Sequence, residues 1–358
     1  MLSLQLLTAC ALPPPMIQAV VVEVSASPTP TPFPTVTPFV REPTATPSPV
    51  PLRERPVVEI PLAGPAAIAR AEFSGMAWYG DHLVLLPQFP NRFGSKDGAL
   101  FVLDQAEIEA FLAGQIPGPL TPRPLPVNSP GLRAQIPGYE GFESIVFDGE
   151  RVYLTVESSP SGGMMGWLLT GRVEPDLSAL YIDVASAMPI PPQADLRNMT
   201  DEAVVLTGTG DEATLLTIYE ANGRLINRSP VAHRFTASLT PLADLPFPAL
   251  EYRITDATPA DENGRFWAVN YFYPGDVKLK PGKDSLLRLL VQNLPQIERL
   301  VELQITEKGI RFTESPPIYL ELLDADARNW EGIARLGDRG FLLVTDYHPR
   351  TILAYIER

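Results

Sequence analysis

Four pairs of polar residues recur along the chain: Glu143 with Glu157, Glu202 with Glu220, Asp256 with Asn270, and Glu331 with Asp346. Their members lie 14 or 15 residues apart, except for 18 in the second pair. Each pair brackets a short apolar run, a turn rich in Gly and Asp or Glu, and a second apolar run, as in "FESIVFDGERVYLTVE" from Phe142 and "WEGIARLGDRGFLLVTD" from Trp330. A fifth segment, "FSGMAWYGDHLVLLPQ" from Phe73, carries Ser74 and Gln88 at the two places. Carboxylates gathered at one spot repel, so they must be protonated or have a cation among them. Oxygen-only donors suit Ca²⁺ (or Mg²⁺) rather than a soft metal. The candidate ligands are Glu143, Glu157, Glu202, Asp256, Asn270, Glu331 and Asp346. The competing expectation is that these acids cap turns or accept bonds from backbone N–H groups at strand ends.

Two apolar runs around a turn read as a β-hairpin. The five segments start at residues 73, 142, 201, 255 and 330, a spacing of propeller-blade scale. Before each comes a Pro-studded stretch: "PVVEIPL" at 56, "TPRPLPV" at 121, "AMPIPP" at 187, "TPLADLPFP" at 240 and "SPPIYLEL" at 315. Proline has no backbone donor and is tolerated on edge strands, and the outermost strand of a blade is an edge. The sequence therefore predicts an all-β, five-bladed β-propeller. Val57–Leu62 would supply the outer strand of the last blade and close the ring. A six-bladed ring is the alternative, because residues 285–323 hold more strand-like material than one blade needs. In a propeller the start of the first strand and the end of the second share one rim, which would place the paired residues around the channel mouth.

The loops after the second strands emerge at that rim. They carry Arg92 and Lys96, Arg224, Lys278, Lys280 and Lys283, and His348 with Arg350. The chain has five lysines, and four lie in these loops. Cations around an acidic mouth suit an anionic small molecule such as a phosphate ester; a plain solvated loop surface is the other reading.

The net charge of −14 argues against a nucleic-acid-binding surface and is compatible with bound cations. One cysteine and three histidines leave no disulfide framework and no thiolate or His-based zinc site. No P-loop, nucleophile elbow or paired HxxxH motif occurs. The first ten residues, MLSLQLLTAC, resemble the lipobox of bacterial lipoproteins, with Cys10 the lipidated residue. The short apolar segment without basic residues implies a start further upstream. Residues 28–56 form a Pro/Thr-rich tract expected in polyproline II, at ~3.1 Å per residue a spacer of several tens of Å. The expected organisation is a truncated signal segment (1–10), a disordered linker (11–55) and a propeller domain (56–358). Such a protein would be a monomer outside the cytoplasm, touching a membrane only through its lipid anchor.

The segments "NWEGIARLGDRGFLLVTD", "ITDATPADENGRFWAVN" and "FSGMAWYGDHLVLLPQ" resemble the blade motifs of the phytase-like (esterase-like) propeller proteins over about residues 57–358. There are weaker similarities to gluconolactonase-like propellers and calcium-activated nucleotidases. The resemblance implies a propeller and places Glu331 on the family's Glu-Gly motif and Asp256 on its start-of-blade acid. It also implies a divalent metal in the channel and a hydrolase of the phosphoesterase type. A binding module without chemistry is the competing function.

Overall fold

The computed structural model describes residues 54–94, 96–281, 284–286, 296–322 and 327–358. Cys10, most of the Pro/Thr-rich tract and Lys283 lie outside them.

Nearly all regular structure is β. The first described strands are β1 (Glu54–Arg55) and β2 (Val57–Ile60). A first four-stranded meander follows: β3 (Phe73–Tyr79), β4 (His82–Pro87), β5 (Ala99–Asp104) and β6 (Arg123–Asn128), with helix α1 (Gln105–Leu112) between the last two. After helix α2 (Leu132–Gln135) comes the second: β7 (Tyr139–Asp148), β8 (Arg151–Ser158), β9 (Met165–Val173) and β10 (Leu180–Ile190). The third is β11 (Asp201–Thr207), β12 (Thr214–Tyr219), β13 (Val231–Thr236) and β14 (Pro241–Pro246). The fourth contains β15 (Arg253–Ala257), β16 (Arg265–Phe272) and β17 (Ile297–Thr306). Its outer edge is shared by β18 (Gly309–Phe312) and β19 (Ile318–Leu320). The fifth is β20 (Trp330–Leu336), β21 (Gly340–Thr345) and β22 (Leu353–Glu357), completed by β2.

The first strands touch in the order β3, β7, β11, β15, β20 and back to β3, so the meanders are arranged around a ring. This is a β-propeller. Ring closure matches the sequence expectation: Val57–Ile60 pairs antiparallel with Leu353–Ile356. Each Pro-rich stretch supplies an outer strand, namely β2, β6, β10, β14 and β19. The extra strand-like material counted toward a sixth blade, so far as it is described, becomes β17–β19 of the fourth sheet. Glu54 and Arg55, just before the expected start of the domain, pair with Tyr319 and Leu320.

Packing follows from strand periodicity. Along β4, Val84 and Leu86 face the second sheet while Leu83 and Leu85 face the fifth. Alternate side chains thus enter opposite cores, which is why both sets are apolar. An apolar cluster of this kind fills each of the five gaps between neighbouring sheets. These gaps hold the first strands in place around the channel.

Candidate site at the channel mouth

Each first strand carries a register irregularity near its start. The breaks fall between Phe73 and Gly75, Phe142 and Ile145, Asp201 and Ala203, Ile254 and Ala257, and Trp330 and Gly332. A β-bulge re-aims the side chain at the break. The residues immediately after the last regular pair are Ser74, Glu143, Glu202, Thr255 and Glu331. The residues immediately after their cross-strand partners are Gln88, Glu157, Glu220, Tyr271 and Asp346. Three of the four pairs read from the sequence therefore occupy equivalent positions. The fourth does not: Thr255 and Tyr271 stand where Asp256 and Asn270 were expected.

The one-residue offset changes what those two side chains do. Asp256 Oδ1 accepts from Ser144 Oγ at 2.8 Å and Oδ2 from the Ile333 N–H at 2.9 Å, with further bonds from the backbone of Ala257 and Met76. Ser144 Oγ in turn accepts from the Val204 N–H at 3.4 Å. This knot touches all five first strands, so it lies on the ring axis and holds the strands together. Burial raises the Asp256 pKa to about 8 despite those bonds. Asn270 donates to the carbonyls of Glu251 and Arg253 and accepts from Arg299 Nε at 2.7 Å. Both residues are thus engaged in structural bonds. The alternative expectation of backbone capping holds for Asp256. Close approach at the axis also explains two glycines: a Cβ on Gly332 would meet the Gly75 backbone at about 3.1 Å, and one on Gly75 would meet Glu143 O at 3.1 Å.

The remaining positions divide by chemistry. Ser74 and Thr255 each donate to the neighbouring first strand, at Phe142 O and Trp330 O, both at 2.6 Å. The acids have no such outlet. Glu143, Glu202 and Glu331 are buried, and their pKa values lie well above the carboxylate range. Burial is the largest cause, followed by repulsion: Glu157 acts on Glu143, Glu220 on Glu202, and Asp346 on Glu331. Glu157 is raised to about 8 by burial and by Glu220 and Glu140. Gln88 Nε2 donates to Glu143 Oε1 at 3.1 Å and Thr200 Oγ1 to Glu157 Oε2 at 3.3 Å. The Tyr271 hydroxyl bridges Asn329 Oδ1 and Glu331 Oε1, the latter at 2.8 Å. One phenolic proton cannot serve two acceptors, so the bridge is complete only when Glu331 carries its own proton.

The positive charge among these acids comes from Arg253, which sequence reading missed. It ion-pairs with Glu220 and grips Asp276 with two bonds, of 2.5 and 3.0 Å. The other Glu220 oxygen, Oε2, is buried and, among the described residues, receives no N–H or O–H bond from a group that always carries a proton. The adjoining Glu202 carboxyl can supply one only when protonated. Tyr271 was also missed. The usable signal lies in the fourth segment itself, where "RITDA" and "VNYF" offer polar residues at two adjacent positions, and only the bulge decides between them.

The basic loops are dispersed. Asp276 ties its loop to Arg253, and Lys278 and Lys280 are exposed just beyond it. His348 packs near Tyr273 and Tyr347, and its charge bears on Asp346. Arg92 pairs with Glu72 and stacks on Phe89. Lys96 lines a cleft at the rim of the first sheet. Arg350 bonds both oxygens of Glu59 on the outermost strand of the fifth sheet, at 2.6 and 2.8 Å, so it belongs to the blade edge rather than the mouth. Among the described residues, no three His, Cys, Asp or Glu side chains converge closely enough to hold a metal as they stand.

No protein-family model matches the chain, and no curated protein matches it. Solved structures with a similar chain path include a GH43 endo-arabinanase from Bacillus licheniformis. It has TM-score 0.44 and 10% identity over 82% of this chain and 94% of that one. An α-L-arabinofuranosidase from Clostridium thermocellum has TM-score 0.43 and 9% identity over 76% and 81%. A GH32 β-fructofuranosidase mutant from Bombyx mori, solved with sucrose, has TM-score 0.45 and 8% identity over 84% and 61%. The propeller rests on the strand order given above and not on these similarities.

Proposed function

We propose that the channel mouth is a divalent-cation-dependent hydrolytic site for a small anionic molecule. One observation supports this most: Glu143, Glu157, Glu202, Glu220 and Glu331 are buried together with the single guanidinium of Arg253. At neutral pH such a cluster either keeps its protons or takes up a cation. The donors fit Ca²⁺, or Mg²⁺, in being oxygen only, and Glu220 Oε2 lacks a fixed partner. Glu143, Glu202 and Glu331, from three different sheets, would hold the ion, with Glu157, Glu220 and Asp346 behind them. Because they do not converge as they stand, they would have to rotate inward. The bound cation would offset the negative charge and polarise an oxygen of the ligand.

The chain's own groups supply proton transfer. Burial raises the pKa of Glu220 but Arg253 pulls it back toward the ionised form, whereas burial and the neighbouring acids push Glu202 well above the carboxylate range, so that Glu220 is the readier of the two to give up its proton. The pair then offers an acceptor for a proton from water and a donor to a leaving group at adjoining positions. Lys278, Lys280 and His348 on the rim would meet the anion. In this reading the domain works outside the cytoplasm, tethered through Cys10 and the Pro/Thr-rich spacer.

The test is calcium-dependent hydrolysis of a chromogenic phosphate ester. Loss of a proton-transferring group costs about a hundredfold or more, so Glu202→Gln and Glu220→Gln should each lower turnover by at least that factor. A second reading, a binding propeller without chemistry, is favoured by the blocked axis at Asp256 and by the internal bonds to Glu143 and Glu331. Calcium binding without turnover on any ester tried would support that reading instead.

A further inference from the structure

A cleft of about 400 Å³ opens between the loop after β4 and the segment between β6 and β7. Both elements lie on the mouth side, because β4 ends at Pro87, next to Gln88, and β7 begins four residues before Glu143. Tyr139 and Phe142 line the inner wall, and Asn91, Lys96 and Arg133 the outer part. The Arg133 guanidinium stacks 5.3 Å from the Tyr139 ring centre and donates from NH2 to Asn91 Oδ1 at 2.8 Å. Those contacts hold it in place without neutralising it. Among the described residues neither Arg133 nor Lys96 forms an ion pair, while Asp97, the acid in the cleft, accepts the Ser129 N–H at 2.6 Å. The cleft therefore holds two cations without an ion-pair partner, beside one carboxylate that is engaged by a backbone N–H. The cleft also adjoins the acidic mouth. Burial raises the Tyr139 pKa, Arg133 pulls it down and the nearby Glu143 carboxyl raises it again, with a net rise, so Tyr139 keeps its proton and remains a donor. Gly141 forms the partition: a Cβ there would fall 2.3 Å from Gln88 Cγ, and Gln88 itself bonds Glu143.

We propose that this cleft binds a tetrahedral oxyanion, the phosphoryl or sulfuryl group of the small molecule whose other end reaches the channel mouth. The proposal rests on the mouth being the reaction site, but binding in the cleft can be measured separately. A guanidinium fork, an ammonium and a phenol approaching from different directions match an acceptor with oxygens on several sides. The planar fork distinguishes Arg133 from a simple point charge, so a lysine in its place should recover only part of the affinity.

The experiment titrates the full chain with inorganic phosphate and, separately, with sulfate by calorimetry at constant ionic strength. It compares wild type, Arg133→Ala, Arg133→Lys, Lys96→Ala/Arg133→Ala and Glu331→Gln, with circular dichroism confirming the fold. Both altered cations are exposed, so folding should survive. The expected result is saturable phosphate binding by wild type, weakened at least tenfold in Arg133→Ala, partly restored in Arg133→Lys, lost in the double variant and retained in Glu331→Gln. Sulfate binding as tight as phosphate would identify a sulfuryl site within the same proposal. No phosphate or sulfate binding by wild type, or undiminished binding by the folded double variant, would overturn it. Calcium stabilisation is read on the same samples. A cleft that binds phosphate in a protein indifferent to calcium would refute the mouth reading alone, whereas calcium stabilisation with no anion bound would refute the cleft alone.

Discussion

Around β17 of the fourth sheet each of two buried acids has its own arginine. Arg299 NH1 lies 2.6 Å from Asp284 Oδ2 and its Nε bonds Asn270, while Arg328 Nε lies 2.8 Å from Glu298 Oε2 beside Trp330 Nε1. At the channel mouth five buried carboxylates share one arginine, itself divided between Glu220 and Asp276. Both regions are buried and border strands that pack against apolar cores. One-to-one pairing compensates each desolvated charge with an opposite charge and hydrogen bonds. Five-to-one crowding cannot, and it leaves protonation or a bound cation as the remaining routes to neutrality. The first region is therefore paired charge for charge, although Arg299 Nη2 has no bond among the described residues, whereas the second is poised to take up something positive.

The comparison breaks most visibly through the arginines. Arg299→Met should cost about 3–5 kcal/mol in urea unfolding at pH 7, because Asp284 is left buried and unpaired. Arg253→Met should cost less, about 2–3 kcal/mol at pH 8, because burial raises the pKa of its partner Glu220 and so eases its protonation. It should cost still less at pH 5, where protonating Glu220 is easier again. Equal losses for Arg253→Met at both pH values would mean that the mouth is paired in the same way as the seam.

Acidity sharpens the contrast further. The folded pKa values of Glu157 and Asp256 are near 8, far above the ~4 of an unfolded carboxyl. A raised carboxyl contributes stability fully below its unfolded pKa and loses it as pH rises through the folded one. In chelator, the melting temperature should therefore fall steadily between pH 5 and pH 8.5. A flat or rising profile would show that the mouth acids are ionised at no cost.

Much of this could be read from the sequence, for identifiable reasons. Hairpins with two buried faces have continuous apolar runs, and outer strands tolerate proline, so Pro241 pointed to the edge strand β14 and Pro124 and Pro126 to β6, the outer strand of its meander, which pairs with β10 only beyond the prolines, at Val127 and Asn128. Ring closure by Val57–Ile60 followed from the missing strand in the last segment. The acids at Glu143, Glu202 and Glu331 were found because a side chain follows its bulge at a fixed place. The fourth segment failed because spacing does not encode where a bulge falls: with the break after Ile254, Thr255 takes the mouth position and Asp256 the axis. Arg253 was overlooked because it precedes the repeat, and Arg350 was misplaced because its partner, Glu59, lies 291 residues away in sequence.

The smallest single-residue effect is expected at Glu331. In chelator, Glu331→Gln should be neutral or stabilising by up to about 1 kcal/mol, since it relieves repulsion yet keeps a group that can complete the Tyr271 bridge. A change at Glu307, in the exposed turn after β17, should do nothing.

The most direct measurement is the thermal melt of the full chain in chelator and in millimolar calcium, for wild type, Glu331→Gln and Glu307→Gln. Extracellular calcium sites bind with Kd of about 10⁻⁴–10⁻³ M, and a hundredfold excess over Kd stabilises by about 2.7 kcal/mol. The account predicts a higher melting temperature for wild type and Glu307→Gln in calcium, and a clearly smaller rise for Glu331→Gln. If calcium leaves the wild-type melt unchanged and Glu331→Gln is destabilising in chelator, the mouth acids are structural bonds and the cation site does not exist.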